Sequence, residues 1–314
     1  MVSSRTFRTT AVGLVVFCLF GCSLGDSDYR SADAPRYVAP AADAPKPRIA
    51  LVLGSGGPRG FAHIGVLKVL EAEGIKPDLV VGASVGAMVG AMYASGHSAA
   101  QIEQIALNLN MLTLVDLASL FRGKRVGGAS IARFVNDHVE HKTIEQFPIR
   151  FAAIAVRASD GVLTIFNRGN PGVAVRASSA IPGSFDPVRI LGVDYIDGDE
   201  LTPLPIKVAR QLGAQIVIAV NVSEYMEDTP PGVPQEWVTK GWRRAHAVDA
   251  EAPFADVIIH PNTGYYTGVR HDYRVRSIAI AEAATRAMLP KIRAAIARGR
   301  SSPPVASSAV CGPA

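Results

Sequence analysis

Apolar residues along this chain follow two rhythms. Short continuous runs at 48–53, 79–81, 151–156, 162–166, 216–222 and 255–260 stop at glycine, proline or polar residues. Runs of that length predict strands; the first, ending at a glycine cluster, reads as buried in a parallel sheet, and Ser159-Asp160-Gly161 turns between the third and the fourth. Between them the spacing lengthens. Over 63–73, Ile64, Leu67 and Leu70 form one helical stripe. Residues 85–95 are small and apolar and predict a tightly packed helix. Ser98 followed by Gln101 predicts a capping box that opens another. A further helix is expected over 130–139. The last covers 275–297, where Ile278, Ala281, Met288, Ile292 and Ile296 share a face, with a break expected at Pro290. This alternation predicts a single α/β domain over 48–299, with a mostly parallel central sheet flanked by helices. No internal repeat is visible.

The ends of the chain follow neither rhythm. Arg5 and Arg8 precede an apolar run of ten residues, 11–20. A membrane-spanning helix needs about 20, so 1–21 reads as a secretory signal peptide. Leu19-Phe20-Gly21-Cys22 resembles a bacterial lipobox, in which Cys22 becomes the lipidated first residue of the mature protein. An ordinary signal peptide with an incidental cysteine is the alternative. By resemblance to lipoproteins of Gram-negative bacteria, Ser23 after the cysteine favours the outer membrane. The expected location is therefore the cell envelope, lipid-anchored on the periplasmic face of that membrane. Residues 22–47, rich in Ala, Asp, Pro and Ser, read as the lipidated Cys22 and a flexible tether. Residues 300–314 read as a disordered tail. With Cys18 in the leader and Cys22 lipidated, Cys311 would have no partner for an intramolecular disulfide.

Composition narrows the function classes. Of 314 residues, 48% are apolar and 19% charged, the balance of a globular protein. The net charge of +5 includes Arg5 and Arg8 and forms no basic cluster. That argues against nucleic acid as a partner. No His/Cys/Asp cluster has metal-ligand spacing, so no metal is expected.

Two glycine motifs stand at strand ends. Gly54-Ser55-Gly56-Gly57-Pro58-Arg59-Gly60 lies between the first strand and the first helix. Backbone N–H groups exposed there suit an anion, which leaves a nucleotide-phosphate loop and an oxyanion hole both open. A dinucleotide site wants an acidic residue at the end of the second strand, whereas Asp78 precedes that strand. The Gly-Lys-Ser/Thr of a Walker loop is missing. Gly82-Ala83-Ser84-Val85-Gly86 follows the second strand in the pattern of a nucleophile elbow. Donors on one strand end and a serine on the next suit acyl transfer, in which a tetrahedral oxyanion must be held as the serine attacks. The base has two sources. His246, His260 and His271 follow Ser84 in the chain. However, only 27 positions separate Gly57 from Ser84, too few for the α/β-hydrolase arrangement. Asp197, in Tyr195-Ile196-Asp197-Gly198-Asp199, follows a β-prone segment and is the other candidate, with a simple Asp-Gly turn as its bland reading.

Taken together, these segments resemble the bacterial patatin-like phospholipases. The match runs through Leu51–Leu67 with its glycine loop, Gly82–Gly86, Arg176–Phe185, and Asp197-Gly198 followed by Pro203-Leu204-Pro205 and Leu212-Gly213-Ala214. The resemblance implies a three-layer fold and a Ser84–Asp197 dyad without a catalytic histidine or any cofactor. It implies an oxyanion loop built from the amides of Gly56, Gly57 and Arg59 together with Gly60. Gly82 and Gly86 would shape the elbow, and Gly198 the aspartate motif. It implies a lipid acyl hydrolase acting on phospholipid or lysophospholipid and held to the membrane by its N-terminal lipid. The alternatives are an esterase or thioesterase for small soluble substrates and a non-catalytic lipid-binding envelope protein; a nucleotide-binding protein is more distant.

Two residues depart from the family pattern: Ser55 and Asp199 each stand where a small residue is usual. Asp199 is read as facing solvent, with like-charge repulsion on Asp197 as the alternative. His63 and His260 are read as structural, and the Arg59 side chain as a brace or a phosphate contact. Trp237, Trp242, Tyr265 and Tyr266 lie in the poorly matched 225–275 segment. Ordinary packing is preferred for them over an acyl-binding lid.

Overall fold

A computed structural model describes residues 28–110 and 128–301. Its strands are β1 (Ile49–Leu53), β2 (Leu79–Ala83), β3 (Arg150–Arg157), β4 (Leu163–Phe166), β5 (Val188–Ile190), β6 (Val193–Asp197), β7 (Ile216–Val220) and β8 (Val257–Ile259). Its helices are α1 (Phe61–Ala72), α2 (Val85–Ala94), α3 (Ala99–Asn108), α4 (Ala129–His138), α5 (Pro171–Ser178), α6 (Ile206–Gln211), α7 (Gln235–Glu251) and α8 (His271–Ser301). One mixed sheet runs β5-β6-β3-β2-β1-β7-β8, with β4 also paired to β3. The β3-β2-β1-β7-β8 stretch is parallel throughout.

Strand alternation divides the core into two layers. Leu51, Leu53, Val80, Ile216, Ile218 and Val220 face one side, where Ile64, Leu67, Ile102, Val175, Ile278 and Ile292 bring in α1, α3, α5 and α8. Ala50, Val52, Val81, Ile154, Val217 and Ala219 face the other, against Ile206, Val208 and Ala209 of α6 and Val248 of α7. This is the expected three-layer arrangement of sheet between helices.

Pairing register brings two distant chain segments to one point. β3 pairs with β2 up to Ala83↔Ile154 and with β6 from Asp197↔Ala155. Meanwhile β4 pairs with Ala153 through Val156. Because β4 occupies one edge of β3, β2 and β6 share the other. They run toward each other and end one β3 residue apart. The residue after Ala83 is Ser84, and the last residue of β6 is Asp197.

Three expectations change. The break at Pro290 is absent, since α8 continues through it. Proline removes one N–H from the helix, but Ile278, Ala281, Ile292 and Ala295 are buried on both sides of it and hold the axis. The tether is not free over its described part: Tyr29 bridges to Ile190 of β5 and Arg36 to Arg168. The Val38 amide donates to Asn167 Oδ1 at 2.8 Å, and Ala34 is buried. An open sheet edge offers unpaired backbone groups, and a segment of unremarkable composition satisfies them. Finally, α8 extends to Ser301, past the expected start of the tail. The leader 1–21, Cys22, Cys311 and residues 302–314 lie outside the described residues. Among those residues, no helix is long and apolar enough to cross a membrane.

Candidate active site

The site lies beyond the carboxyl ends of the parallel strands, where β1 sits between β2 and β7. The connection from β1 runs to β2 and that from β7 runs to β8, in opposite directions along the sheet, which opens a crevice. Ser84 occupies the turn from β2 into α2 with φ 52° and ψ −121°. That backbone conformation is strained for a residue with a side chain. The glycines around it permit the turn: a Cβ on Gly82 would lie 2.4 Å from Ala87 Cα, and one on Gly86 would lie 2.1 Å from Leu53 O. The Ser84 amide donates to Ser178 Oγ at 2.9 Å. The Arg176–Phe185 block thus pins the elbow through Ser178, at the end of α5.

The Ser84 hydroxyl donates to Asp197 Oδ2 at 2.8 Å. Both residues are buried, Ser84 6% and Asp197 1% exposed. Asp197 Oδ1 accepts the Asp199 amide at 2.8 Å, and the Asp197 amide donates to Ala180 O at 3.0 Å. The carboxylate is therefore oriented at both ends. Burial first, and then the charge of Asp199, push its pKa up to about 7. The Asp199 amide, the Ser84 hydroxyl and Arg244 pull in the other direction.

Gly56 and Gly57 line the same cleft of about 430 Å³ as Ser84, Ile181 and Asp197. Among the described residues neither glycine amide donates to a protein acceptor, so both are available to an oxyanion. The Arg59 amide, expected as a third donor, is committed to Gly56 O at 3.1 Å. Its side chain is a brace: Nη1 meets Glu224 Oε2 at 3.0 Å, and Nη2 donates to Tyr265 O. Gly60 stands where α2 packs closest, since a Cβ there would lie 2.3 Å from Val85 Cγ2. Gly198 passes against Ile154 at 2.8 Å by the same measure.

Asp199 does not face solvent. The Ser55 hydroxyl donates to its Oδ1, and Arg244 Nε donates to the same oxygen at 3.0 Å. Arg244 Nη2 reaches Ser55 Oγ at 3.2 Å, and Nη1 reaches Glu224 Oε2 at 3.4 Å. The two departures from the family pattern thus touch each other and share one buried arginine. Burial opposes the charge on Arg244, but Asp199 and Glu224 outweigh it and raise its pKa. Sequence reasoning missed Arg244. The available signal was the 3-4-3 spacing of Gly241, Arg244, Val248 and Glu251, the buried face of α7.

No histidine joins Ser84 among the described hydrogen bonds. His63 is fully buried with Nε2 against Gly54 O at 2.8 Å. A carbonyl only accepts, so Nε2 carries the proton, and burial lowers the ring's pKa to about 4. His260 bonds Ser223 O at 3.0 Å and stacks on Tyr225 at 3.9 Å. His246 and His271 lie on exposed helix positions. Trp237 and Trp242 are not packed inside, being 58% and 43% exposed. Among the described residues no group of three His, Cys, Asp or Glu side chains is placed to hold a metal ion.

The family model for patatin-like phospholipases matches residues 51–210. That span includes the glycine loop, Ser84, Ser178 and Asp197, and it stops before α7. The chain is similar to an uncharacterized NTE family protein of Mycobacterium tuberculosis, with 36% identity over 212 residues, 64% of this chain and 58% of the relative. It is similar to human patatin-like phospholipase domain-containing protein 6, with 33% identity over 191 residues, 57% of this chain and 14% of the relative. Lysophospholipase NTE1 of Scheffersomyces stipitis is 30% identical over 191 residues, 58% of this chain and 12% of the relative. The matched segment is thus less than two thirds of each relative's length. Among solved structures, VipD from Legionella pneumophila has a similar fold, with a TM-score of 0.55 at 14% identity over 82% of this chain and 70% of that one.

Proposed function

This chain belongs to the patatin-like phospholipase family, and from that premise we propose that it is a lipid acyl hydrolase working through Ser84 and Asp197 on phospholipid or lysophospholipid esters. One observation carries the assignment of roles: the buried hydrogen bond from Ser84 Oγ to Asp197 Oδ2, beside the amides of Gly56 and Gly57, which have no acceptor among the described residues.

The chemistry follows from those positions. As Ser84 Oγ bonds to the ester carbonyl carbon, its proton passes to Asp197. The carbonyl oxygen becomes an oxyanion held by the amides of Gly56 and Gly57. The carbon–oxygen bond to the leaving alcohol breaks, and the Asp197 proton goes to that oxygen. Water then attacks the acyl-serine, giving its proton to Asp197, and the Ser84 oxygen leaves with that proton. A carboxyl titrating near 7 suits both directions of transfer, because the best acid–base group titrates near the working pH. An ordinary solvated aspartate would be too weak a base.

The experiment compares fatty-acid release by wild type, Ser84→Ala, Asp197→Asn and His260→Ala. Mixed phospholipid micelles and a short chromogenic ester serve as substrates, with folding monitored by circular dichroism. Ser84→Ala and Asp197→Asn should each lose activity by about 10⁴-fold or more, while His260→Ala retains it. Activity surviving in either dyad variant overturns the assignment, and preference for the short ester favours the small-substrate esterase.

Cys22 as a lipid attachment point and the periplasmic face of the outer membrane as the location belong to the same proposal. A substrate that resides in a membrane, together with the lipobox-like Leu19–Cys22, supports them.

A further inference from the structure

A second cleft of about 920 Å³ opens beside the Ser84 cleft, and Lys240 and Arg244 of α7 line both. An ester with its carbonyl at Ser84 must lay its leaving group along a route out, and this is the roomier one. Its cations are Arg59, Arg244 and Lys240, and its carboxylate is Glu224. Arg59 and Arg244 are both spent on Glu224, and Arg244 also holds Asp199 and Ser55. Arg244 cannot turn toward a ligand without taking the cation from Asp199, and Arg59 is held by both Glu224 and Tyr265 O, so a ligand would compete with partly buried partners.

Lys240 is placed differently. Its side chain is 46% exposed, and its one ion pair among the described residues is to Glu200 at 4.0 Å. That is the outer limit of such a pair and worth little. Its ammonium therefore stands at the junction of the clefts with donors to spare, in surroundings whose net charge is positive on the second-cleft side. A flexible point charge with three donors suits a phosphate, which offers several acceptor oxygens.

Resting on the hydrolase reading above, we infer that Lys240 is a specificity-determining residue that receives a phosphate carried by the leaving alcohol. The second cleft takes the remainder of that alcohol, with Trp237 and Tyr266 at its exposed wall. The selected substrates are acyl esters of phosphorylated alcohols, in preference to neutral acylglycerols of the same chain length. Lys240 lies outside the span matched by the family model, so this selectivity comes from α7 and not from the shared motifs.

The test uses the full chain in detergent: wild type, Lys240→Ala, Lys240→Arg and Ser84→Ala. The substrates are monooleoyl lysophosphatidylglycerol, monooleoylglycerol and p-nitrophenyl butyrate. Lys240→Ala should lower kcat/KM on the lysophospholipid by about tenfold, mostly through KM, and leave the two neutral esters within about twofold, the size of a lost hydrogen bond to a charged group. Lys240→Arg should restore most of the loss. An equal change on all three substrates, or none on the lysophospholipid, overturns the inference while the hydrolase reading stands. No wild-type turnover of any substrate overturns that reading and takes this one with it. Inorganic phosphate as a competitor separates the sources of the anion. Competition that disappears in Lys240→Ala assigns free phosphate to the same ammonium. Absence of competition, with the substrate ratio still dependent on Lys240, assigns the lipid headgroup alone. Competition that persists undiminished in Lys240→Ala counts against the site.

Discussion

Asp199 sits two residues beyond Asp197, and its charge is, after burial, the main reason the Asp197 carboxyl holds its proton to about pH 7. Replacing it with asparagine removes that repulsion and leaves Arg244 with one carboxylate fewer, so Asp197 ionises at lower pH. Only ionised Asp197 can accept the Ser84 proton. The acid limb of kcat/KM, centred near 7 in the wild type, should therefore move to lower pH in Asp199→Asn, as read from a pH–rate profile on the short chromogenic ester. The maximal rate should fall as well, because a less basic carboxylate is a weaker proton acceptor. An unmoved limb would mean that Asp197 is not the titrating base. In the sequence the repulsion stood only as the less favoured reading of Asp199, and the link through Arg244 was not legible. Ser55 and Asp199 are visible there as two separate departures, but the arginine that joins them is 45 positions from Asp199. Read alone, an Asp in an Asp-Gly-Asp turn looks solvated.

At the scale of elements, the legible parts were those whose chemistry is local. The β1–glycine loop–α1 and β2–Ser84–α2 units each place strand, turn and helix within a short stretch, with turn residues that have few other uses. The capping box at Ser98 formed as expected: the Gln101 backbone amide donates to Ser98 Oγ, and the Ser98 backbone amide donates to Gln101 Oε1. What escaped were elements stabilised by distant partners. α7 carries a polar sequence, and its buried face includes Arg244 and Glu251, which a hydrophobic pattern does not register. Continuity through Pro290 likewise depends on α8 lying along α1. That contact is close enough to test. A Cβ on Gly65 would stand 2.2 Å from Ile278 O and 2.9 Å from Glu282 N, both backbone atoms that cannot swing aside. Gly65→Ala gains helix propensity, worth about 1 kcal/mol, but must force the two helices apart. Overpacking of this kind costs about 1–3 kcal/mol. The net outcome expected in urea denaturation is a lower midpoint. An unchanged or higher midpoint would show that the helices separate freely.

For the whole molecule, the sequence pattern was enough for one α/β domain and for the glycine loop, Ser84 and Asp197 as candidates, but not for α7, which brings Arg244 to the site. The end-to-end approach of β2 and β6 on one edge of β3 lay beyond it, because register is a property of pairs and not of single strands. The proposed anchor also belongs at this scale. Metabolic labelling with a palmitate analogue should mark the protein in a bacterial envelope fraction, and Cys22→Ser should abolish the label and release the protein from that fraction. Label retained by Cys22→Ser would remove Cys22 from consideration. A lipid at that position would act on a domain already fastened at Tyr29 to β5. Tyr29 lies seven positions beyond Cys22, and a chain spans at most about 3.5 Å per residue. The bilayer surface and the β5 edge would then stay within roughly 25 Å of each other. Had the whole stretch to residue 47 hung loose, the standoff would be several times larger. Confinement of this kind sets a high local concentration of whatever the membrane presents. Turnover would then follow the density of substrate in the plane of the bilayer, and dilution of the surrounding fluid would not slow it.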